Sequence, residues 1–335
     1  MRIVGGKHRS RVLKQFDGLA VRPTSDKVRE SLFNILRDIV PSAKVLDLFA
    51  GTGAVGLESL SRGAKSVTFT DNSAESLKIV KDNLSALKES AEVIKTDAIA
   101  YLERTTDKFD FIFIDPPYNS GLGVRALEII AKRGLLTEDG VAVYEDDATI
   151  GKVKGLFKYD ERKYGRANLA FFKAKKSACV FAGTFDPITL GHYDMVMRAT
   201  DEFEKVFVVL MVNPNKTPYF SKEQRLSFMQ KAFEGNSAVI VDSHEGLAVD
   251  YLKKVGTPYY IRGIRTESDL IYEQRNEELS KQFYPELQTI YYKAFKSDKH
   301  LNSTMVRDAV INGEDYGSYL PKGVFEMVKK AVSEK

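Results

Sequence analysis

Short apolar runs alternate with segments of helical periodicity along the whole chain. Apolar positions at helical spacing after the capping candidates Thr24, Ser25 and Asp26 predict a first helix. Strands are predicted at residues 44–49, 66–70, 91–95, 109–114, 141–144 and 169–173. This alternation is typical of a parallel sheet covered on both faces by helices, the doubly wound α/β class.

A second series of strands begins after a short basic joint at residues 173–177. A fresh strand starts at Ala178 and leads directly into a glycine turn, and further strands are predicted at 206–211, 238–241 and 259–261. A new first strand implies a new domain. We therefore predict two Rossmann-like doubly wound parallel-sheet domains, residues 1–175 and 178–335.

The length of 335 residues leaves room for two cores. A single cysteine, Cys179, excludes an intramolecular disulfide and indicates a reducing compartment or indifference to redox conditions. No apolar stretch approaches the roughly 18 residues that a membrane span requires, and no signal-peptide pattern follows Met1. We therefore expect a soluble, cytoplasmic protein without a membrane partner.

The net charge of +4 is small, but its distribution is uneven. Residues 1–37 contain nine lysines and arginines against three acidic residues. A flexible basic arm suits a phosphate backbone, so this segment is a candidate for contact with nucleic acid. A solvated N-terminal tail is the alternative interpretation.

The segment Asp47-Leu-Phe-Ala-Gly51-Thr-Gly53-Ala-Val-Gly56 closes the first strand and opens a helix. Glycines let the backbone pass close to a ligand, and the helix N-terminus offers unpaired amides. With Asp71 further along, the pattern also fits a nicotinamide cofactor. Asp47 favours S-adenosylmethionine, because a carboxylate suits its cationic amino acid end and has no use beside a pyrophosphate.

Two further acids end the next predicted strands. Asp71 is expected to accept hydrogen bonds from ribose hydroxyls, and Asp97 lies where the adenine should be. Acids at successive strand ends converge at the carboxyl edge of an open sheet. Each of them alone fits a helix N-cap equally well.

The fourth strand is followed by Asp115-Pro116-Pro117-Tyr118. The exocyclic amine of a base is a poor nucleophile, because its lone pair is delocalised into the ring. Hydrogen-bond acceptors such as Asp115 and the carbonyl of Pro116 can draw it toward tetrahedral geometry, and Tyr118 offers a face on which the base can stack. Catalysis would then consist of alignment with the sulfonium methyl and electrostatics.

With these motifs, residues 1–175 resemble the bacterial small-subunit ribosomal RNA guanine-N2 methyltransferases. The resemblance is carried by Arg2-Ile-Val-Gly-Gly6, by residues 22–36 (RPTSDKVRESLFNIL) and by residues 47–58 (DLFAGTGAVGLE). It implies N2 methylation of one guanine in small-subunit RNA, with the basic N-terminal segment gripping the RNA. The residues alone support only methylation of a base amine and leave open a DNA amino-methyltransferase, a nicotinamide-binding oxidoreductase or an inactive RNA-binding module.

The second glycine turn carries different chemistry. The segment from Gly183 to His192 contains Thr184, Phe185 and a Thr-x-Gly-His sequence that places an imidazole in the first turn of a helix. Amides and the helix dipole favour phosphate there, so His192 can stabilise charge on an α-phosphate; a capping or packing histidine is the alternative. Further candidates for binding two phosphorylated molecules are the cations Lys216, Arg262 and Arg265 and the helix start Asn302-Ser303-Thr304.

Residues 178–335 resemble phosphopantetheine adenylyltransferase from end to end, including the closing segment at residues 319–322. The resemblance implies that ATP meets Thr184, Phe185, His192, Gly263, Ile264, Arg265, Glu273, Asp298, Lys299, His300, Leu301, Asn302, Ser303 and Thr304. It implies that 4′-phosphopantetheine meets Thr184, Lys216, Ala248 and Arg262.

The implied reaction is attack of the 4′-phosphate on the α-phosphorus of ATP, which gives dephospho-coenzyme A and pyrophosphate. Mg²⁺ is expected on the ATP phosphates and not on protein side chains. Members of this family usually form hexamers, so the resemblance implies self-association through the second half. Rival activities are a cytidylyltransferase and a nicotinate-nucleotide adenylyltransferase, and Arg262-Gly-Ile-Arg265 with Lys216 argues against both.

Overall fold

The computed structural model describes residues 1–16, 26–212, 217–293 and 301–334. The chain divides into two compact units, Met1–Ala174 and Lys175–Lys335. The first unit contains the strands β1 (Lys44–Asp47), β2 (Ser66–Asp71), β3 (Glu92–Lys95), β4 (Phe109–Ile114), β5 (Leu136–Asp146), β6 (Leu156–Tyr164) and β7 (Ala167–Ala174). Its helices are α1 (Asp26–Ile35), α2 (Ala54–Ser61), α3 (Ala74–Leu87), α4 (Ala98–Arg104) and α5 (Leu122–Arg133).

The sheet of the first unit has the strand order β3-β2-β1-β4-β5-β7-β6. The strands β1 to β5 pair in parallel, whereas β7 pairs antiparallel with both β5 and β6. The doubly wound parallel class is therefore confirmed, with an antiparallel extension at one edge. The edge strand β6 was not predicted, because its sequence LFKYDERKY is largely charged and lacks an apolar run.

The central strand β4 explains how the core is divided. Phe111 and Phe113 pack into the core on one face of the sheet, and Ile112 and Ile114 pack into the core on the other. Successive side chains of a strand point to opposite faces, so a continuous apolar run indicates a strand buried on both sides.

The order of the strands reverses between β1 and β4, which lie side by side. Asp47 ends β1, and Asp115 directly follows β4. Ligands of open α/β sheets bind in the crevice outside the carboxyl ends at such a reversal. The fold thus places both predicted motifs at the same crevice.

The N-terminal segment is docked on the first unit. Ile3 and Leu13 are buried, and the buried carboxylate of Glu58 in α2 accepts hydrogen bonds from the backbone N–H groups of Val4 and Gly5, both at 2.8 Å. This corrects the expectation of a flexible arm over residues 1–14. The basic side chains that this docked segment exposes include Arg2, Lys7, Arg9, Arg11 and Lys14.

The second unit contains a five-stranded parallel sheet with the order β10-β9-β8-β11-β12. Its strands are β8 (Lys176–Gly183), β9 (Phe203–Val212), β10 (Val239–Glu245), β11 (Tyr259–Ile264) and β12 (Gln288–Lys293). Its helices are α6 (Leu190–Glu202), α7 (Lys222–Ala232), α8 (Ala248–Val255), α9 (Glu267–Lys281), α10 (Ser303–Asn312) and α11 (Val324–Ser333). The central strand β8 ends at the predicted glycine turn.

The residues predicted as a basic joint belong largely to strands, since β7 ends at Ala174 and β8 begins at Lys176. Among the helices of the described ranges, none combines the length and the apolar character needed to cross a bilayer.

Candidate active sites of the two units

A cavity of about 650 Å³ lies at the carboxyl ends of the parallel strands of the first unit. This volume is typical of small-molecule sites. The predicted residues that line it are Asp47, Gly51, Asp71, Asp97, Asp115, Pro116 and Tyr118. The remaining predicted residue, Gly53, precedes helix α2 with a positive φ of 80°.

Two carboxylates brace the glycine loop. Asp47 Oδ2 accepts a hydrogen bond from the backbone N–H of Gly56 at 2.9 Å, and Asp71 Oδ2 accepts one from the N–H of Gly51 at 2.8 Å. A Cβ atom built on Gly51 would meet no atom within 4 Å. The two carboxylates therefore fix the backbone of the glycine loop, and the space beside Gly51 is free of protein atoms.

Asp71 has a second structural partner, and Asp97 has one as well. Asp71 Oδ1 accepts from the N–H of Ser73 at 2.8 Å, and Asp97 caps α4 by accepting from the N–H of Ala100 at 2.9 Å. A carboxylate oxygen has two lone pairs, so these bonds leave acceptor capacity. The sequence left two interpretations of Asp97 open, a helix N-cap or a ligand-binding residue. In the structure Asp97 is the N-cap of α4 and also lines the cavity.

The Asp115 motif lines the same cavity. Pro116 is buried, whereas the Tyr118 side chain is 54% exposed. Burial, followed by the charges of Glu145, Asp47 and Asp146, raises the pKa of Asp115 well above its usual range. A cavity with this surplus of carboxylates favours cations and hydrogen-bond donors and disfavours a pyrophosphate.

The lining residues that sequence reasoning missed include Gln15, Phe16 and Glu145. Glu145 sits near the end of β5, so the same signal that identified Asp47 and Asp71, an acid at a strand end, could have found it. Gln15 and Phe16 belong to the docked N-terminal segment, and no local motif marks them.

In the second unit, His192 is held as a hydrogen-bond donor. Its Nδ1 atom accepts from the backbone N–H of Thr189 at 3.1 Å, which leaves the proton of the neutral ring on Nε2. Burial and the charge of Arg265 lower the pKa of His192 to about 4. The imidazole is therefore neutral near pH 7, and its Nε2–H is available to an anion.

The turn before His192 is fixed by two arginines for which the sequence suggested no such role. Arg225, buried in α7, donates to the carbonyl of Thr184 at 2.9 Å, and Arg307 in α10 donates to the carbonyl of Asp186 at 2.6 Å. Thr184 is exposed, whereas Phe185 is only 1% exposed. Phe185 therefore presents almost no surface to a ligand.

Two further cavities contain six of the remaining predicted residues. A cavity of about 580 Å³ is lined by Arg265, Asn302 and Thr304. A cavity of about 310 Å³ is lined by Ala248, Arg262 and Glu273, together with apolar side chains of Leu247, Leu279 and Phe283. Three residues predicted for ATP thus share one cavity, and two predicted for phosphopantetheine, Ala248 and Arg262, share the other.

Glu273, which the resemblance assigned to ATP, lines the smaller cavity. It binds the guanidinium of Arg262 with both carboxylate oxygens, at 2.8 Å from Nε and 2.5 Å from Nη2. A bidentate pair of this kind fixes the plane of the arginine. Arg262 is thereby oriented on the wall of the smaller cavity.

Several predicted residues have other positions. Gly263, Ile264, Leu301 and Ser303 line neither cavity. A Cβ atom on Gly263 would lie 2.4 Å from Met195 Sδ, so this glycine lets α6 pack closely. The predicted residues Lys216, Asp298, Lys299 and His300 lie outside the described residues. Within the described ranges, no group of three or more histidine, cysteine, aspartate or glutamate side chains is arranged to hold a metal ion.

Comparisons with known proteins divide the chain at the same place. The profile of the family described as Conserved hypothetical protein 95 matches residues 1–173, and the profile described as Cytidylyltransferase-like matches residues 180–309. The phosphopantetheine adenylyltransferase of Limosilactobacillus reuteri is 33% identical over 156 residues, which cover 47% of this chain and 90% of that protein. The enzyme of the same name from Heliobacterium modesticaldum is 37% identical over 148 residues, which cover 44% and 88%.

Solved structures resemble the first unit. An Escherichia coli protein described as "Putative methyltransferase" is 32% identical, with a TM-score of 0.49, and the match covers 52% of this chain and 97% of that one. A hypothetical protein of Thermus thermophilus is 29% identical, with a TM-score of 0.45, and the match covers 51% and 98%.

Proposed function

Because its first half belongs to the Conserved hypothetical protein 95 family and its second half to the phosphopantetheine adenylyltransferase family, we propose that this chain is a bifunctional transferase. The first unit methylates N2 of a guanine in small-subunit ribosomal RNA with S-adenosylmethionine. The second unit transfers AMP from ATP to 4′-phosphopantetheine, which gives dephospho-coenzyme A and pyrophosphate.

The observation that supports methyl transfer best is the position of Asp115 in the carboxylate-rich cavity, beside the exposed ring of Tyr118. S-adenosylmethionine, when bound, supplies an electrophilic methyl group on a sulfonium. Asp47 suits its ammonium group, Asp71 its ribose hydroxyls, and Asp97 lies at the end proposed for adenine. The fit is chemical, since the cavity is rich in carboxylates and the cofactor carries two cationic groups.

The role of the protein side chains is to make the N2 amine of guanine a better nucleophile. Asp115 and the carbonyl of Pro116 accept hydrogen bonds from N2, which makes the nitrogen lone pair available, while Tyr118 stacks on the base. A carbon–nitrogen bond then forms as the carbon–sulfur bond breaks, and N2 loses one proton. Asp115 is suited to accept this proton, because its raised pKa makes it a stronger base than an exposed carboxylate.

The test uses the intact chain, radiolabelled S-adenosylmethionine and small ribosomal subunits that lack the modification. We expect label in N2-methylguanine after nuclease digestion. Label on DNA, on another base, or on no substrate would remove the proposal for the first unit.

The observation that supports adenylyl transfer best is the fixed Nε2–H donor of His192 at the turn between β8 and α6. The 4′-phosphate oxygen attacks the α-phosphorus in line, and the bond to the β-phosphate breaks. Nε2–H would stabilise the charge on the α-phosphate, with Arg265, Asn302 and Thr304 around ATP and Arg262 on the phosphopantetheine side. Mg²⁺ would neutralise the phosphates of ATP.

Pyrophosphate release by the intact chain tests this half. We expect turnover with ATP and 4′-phosphopantetheine and none with nicotinate mononucleotide. The reverse preference, or use of CTP in place of ATP, would overturn the assignment.

We also propose that the second unit self-associates, as a hexamer. Its support is an apolar surface, which we call the α9 surface, formed by Leu247, Ile271, Tyr272, Leu279 and Phe283, each at least half exposed. Helix α9 has no buried residue in the single chain. An apolar patch of this kind is typical of a contact between copies.

Replacing Ile271 and Tyr272 with glutamate is expected to shift the chain to a smaller assembly, because the charges would be buried without partners at the contact. Analytical ultracentrifugation at micromolar concentration measures the change. Ile311→Glu, on α10 and 66% exposed, is the matched control and should leave the mass unchanged. An unaltered mass for the double variant would exclude the α9 surface as the contact.

A further inference from the structure

The turn between β8 and α6 contains a residue with a strained backbone. Phe185 has a φ of 42°, in the left-handed region that bulky side chains rarely adopt. Such a conformation persists only where the surrounding structure enforces it, and it occurs mostly at functional sites. Some contact in the second unit must therefore hold Phe185 in place.

The ring of Phe185 lies against the ring of His192. Their centroids are 5.1 Å apart and their planes meet at 85°, an edge-on contact. The hydrogen bond from Thr189 to Nδ1 fixes the tautomer of His192 but holds only one corner of the ring. The direction of the Nε2–H bond therefore depends on where the Phe185 ring lies.

The side chain of Arg225 holds the peptide that precedes Phe185. Its Nη1 atom donates to the carbonyl of Thr184 at 2.9 Å, and its Nε atom donates to the carbonyl of Ser221 at 3.4 Å. The carbonyl of Thr184 and the nitrogen of Phe185 belong to one planar peptide group, so the tilt of this group sets the φ of Phe185. Because a guanidinium presents its donors in a rigid fork, Arg225 holds that tilt.

Arg225 is separated from the substrates. It is 5% exposed, and it lines neither of the two cavities that contain the predicted substrate residues. The carboxylate of Asp186 favours the charged form of its buried guanidinium. An effect of Arg225 on the reaction must therefore pass through the turn.

We propose that Arg225 is a positioning residue for adenylyl transfer, which holds the strained Thr184–Phe185 peptide and thereby aims the Nε2–H of His192. The inference rests on the proposed adenylyl transfer and adds a residue that acts on its rate without touching ATP or phosphopantetheine. The residues from Arg225 to His192 form one series of contacts, through Thr184 and Phe185.

The test measures pyrophosphate release by the intact chain and combines two substitutions. Arg225→Met keeps most of the aliphatic stem and removes the donors. It is expected to lower kcat by about 10- to 10²-fold, because small misplacements of a catalytic group are costly, while KM for ATP changes by no more than about threefold. In a chain that already contains His192→Ala, the same substitution should lower kcat by no more than about twofold, because the group that it positions is absent.

A control separates positioning from stability. Met229→Val alters a fully buried residue one turn further along α7 and is expected to lower the unfolding temperature by leaving a cavity. Its kcat should equal that of the wild type. A similar loss of kcat in Met229→Val would show that the rate follows stability alone, and the proposal would be wrong.

Three other results overturn the proposal: an unchanged kcat in Arg225→Met, a rise in KM for ATP in place of the loss in kcat, or losses that multiply when the two substitutions are combined. If Arg225→Met does not fold, Arg225→Lys replaces it. A single ammonium cannot reproduce the planar fork, so kcat should fall severalfold, and not further when His192→Ala is present. Wild-type kcat in Arg225→Lys would then decide against the proposal. Failure of the proposed function itself is distinguishable, because the wild-type chain would release no pyrophosphate from ATP with 4′-phosphopantetheine.

Discussion

Replacing Asp115 with alanine is expected to lower methyl transfer to small-subunit RNA by about 10²- to 10⁴-fold in kcat/KM, equivalent to about 3–5 kcal/mol of transition-state stabilisation. The variant loses the acceptor that prepares the amine and the base that takes its proton. Affinity for S-adenosylmethionine should change little, because Asp47 and Asp71 remain. Single-turnover rates with radiolabelled cofactor separate the two quantities.

The unfolding temperature and the adenylyl transfer of Asp115→Ala show whether the variant is correctly folded. Burial and neighbouring carboxylates raise the pKa of Asp115 in the folded chain, so its ionisation opposes folding above the pKa of about 4 that it has when unfolded. This destabilisation is absent at lower pH and grows as the pH rises toward the folded-state pKa. Asp115→Ala should therefore unfold at the same or a higher temperature at neutral pH, and its adenylyl transfer should be unchanged. Undiminished methyl transfer, or loss of both activities together, would contradict the assigned role.

The parts of the fold that follow local rules could be predicted from the sequence. The apolar run of β4 identified a strand buried on both faces, and Asp47 and Asp71 were recognisable because acids at strand ends converge at one edge of a parallel sheet. The two family resemblances, which rest on contiguous motifs, are confirmed by the comparisons. Strand β6 was not predicted because this edge strand is largely charged.

The residues that sequence reasoning missed depend on pairing between distant segments. Glu145 becomes part of the first site only when β5 pairs with β4 in one particular register. Arg225 supports Thr184 from a helix 41 residues further along the chain. The docking of residues 1–14 likewise depends on Glu58, whose burial no local pattern reveals. Local periodicity contains no information on such contacts, because they arise from the tertiary fold.

Replacing His192 with alanine is expected to lower kcat for adenylyl transfer by about 10²- to 10³-fold, with a much smaller change in KM for ATP. A donor that strengthens its bond as charge develops on the α-phosphate acts mainly on the transition state. His192→Gln keeps an N–H donor of similar reach and should recover part of the rate. Steady-state pyrophosphate release measures all three chains, and methyl transfer by the other unit reports on their integrity.

The pH dependence distinguishes a neutral donor from a general acid. With a pKa of about 4, His192 stays neutral from pH 6 to pH 8, so kcat should show no inflection near 6.5 that depends on this residue. Its lowered pKa also means that the unfolded chain binds the proton more readily, so its contribution to stability is present above about pH 6.5 and is lost as the pH falls toward 4. An inflection near 6.5 that disappears in His192→Gln would show that the imidazole exchanges a proton during turnover, and the neutral-donor role would then be wrong.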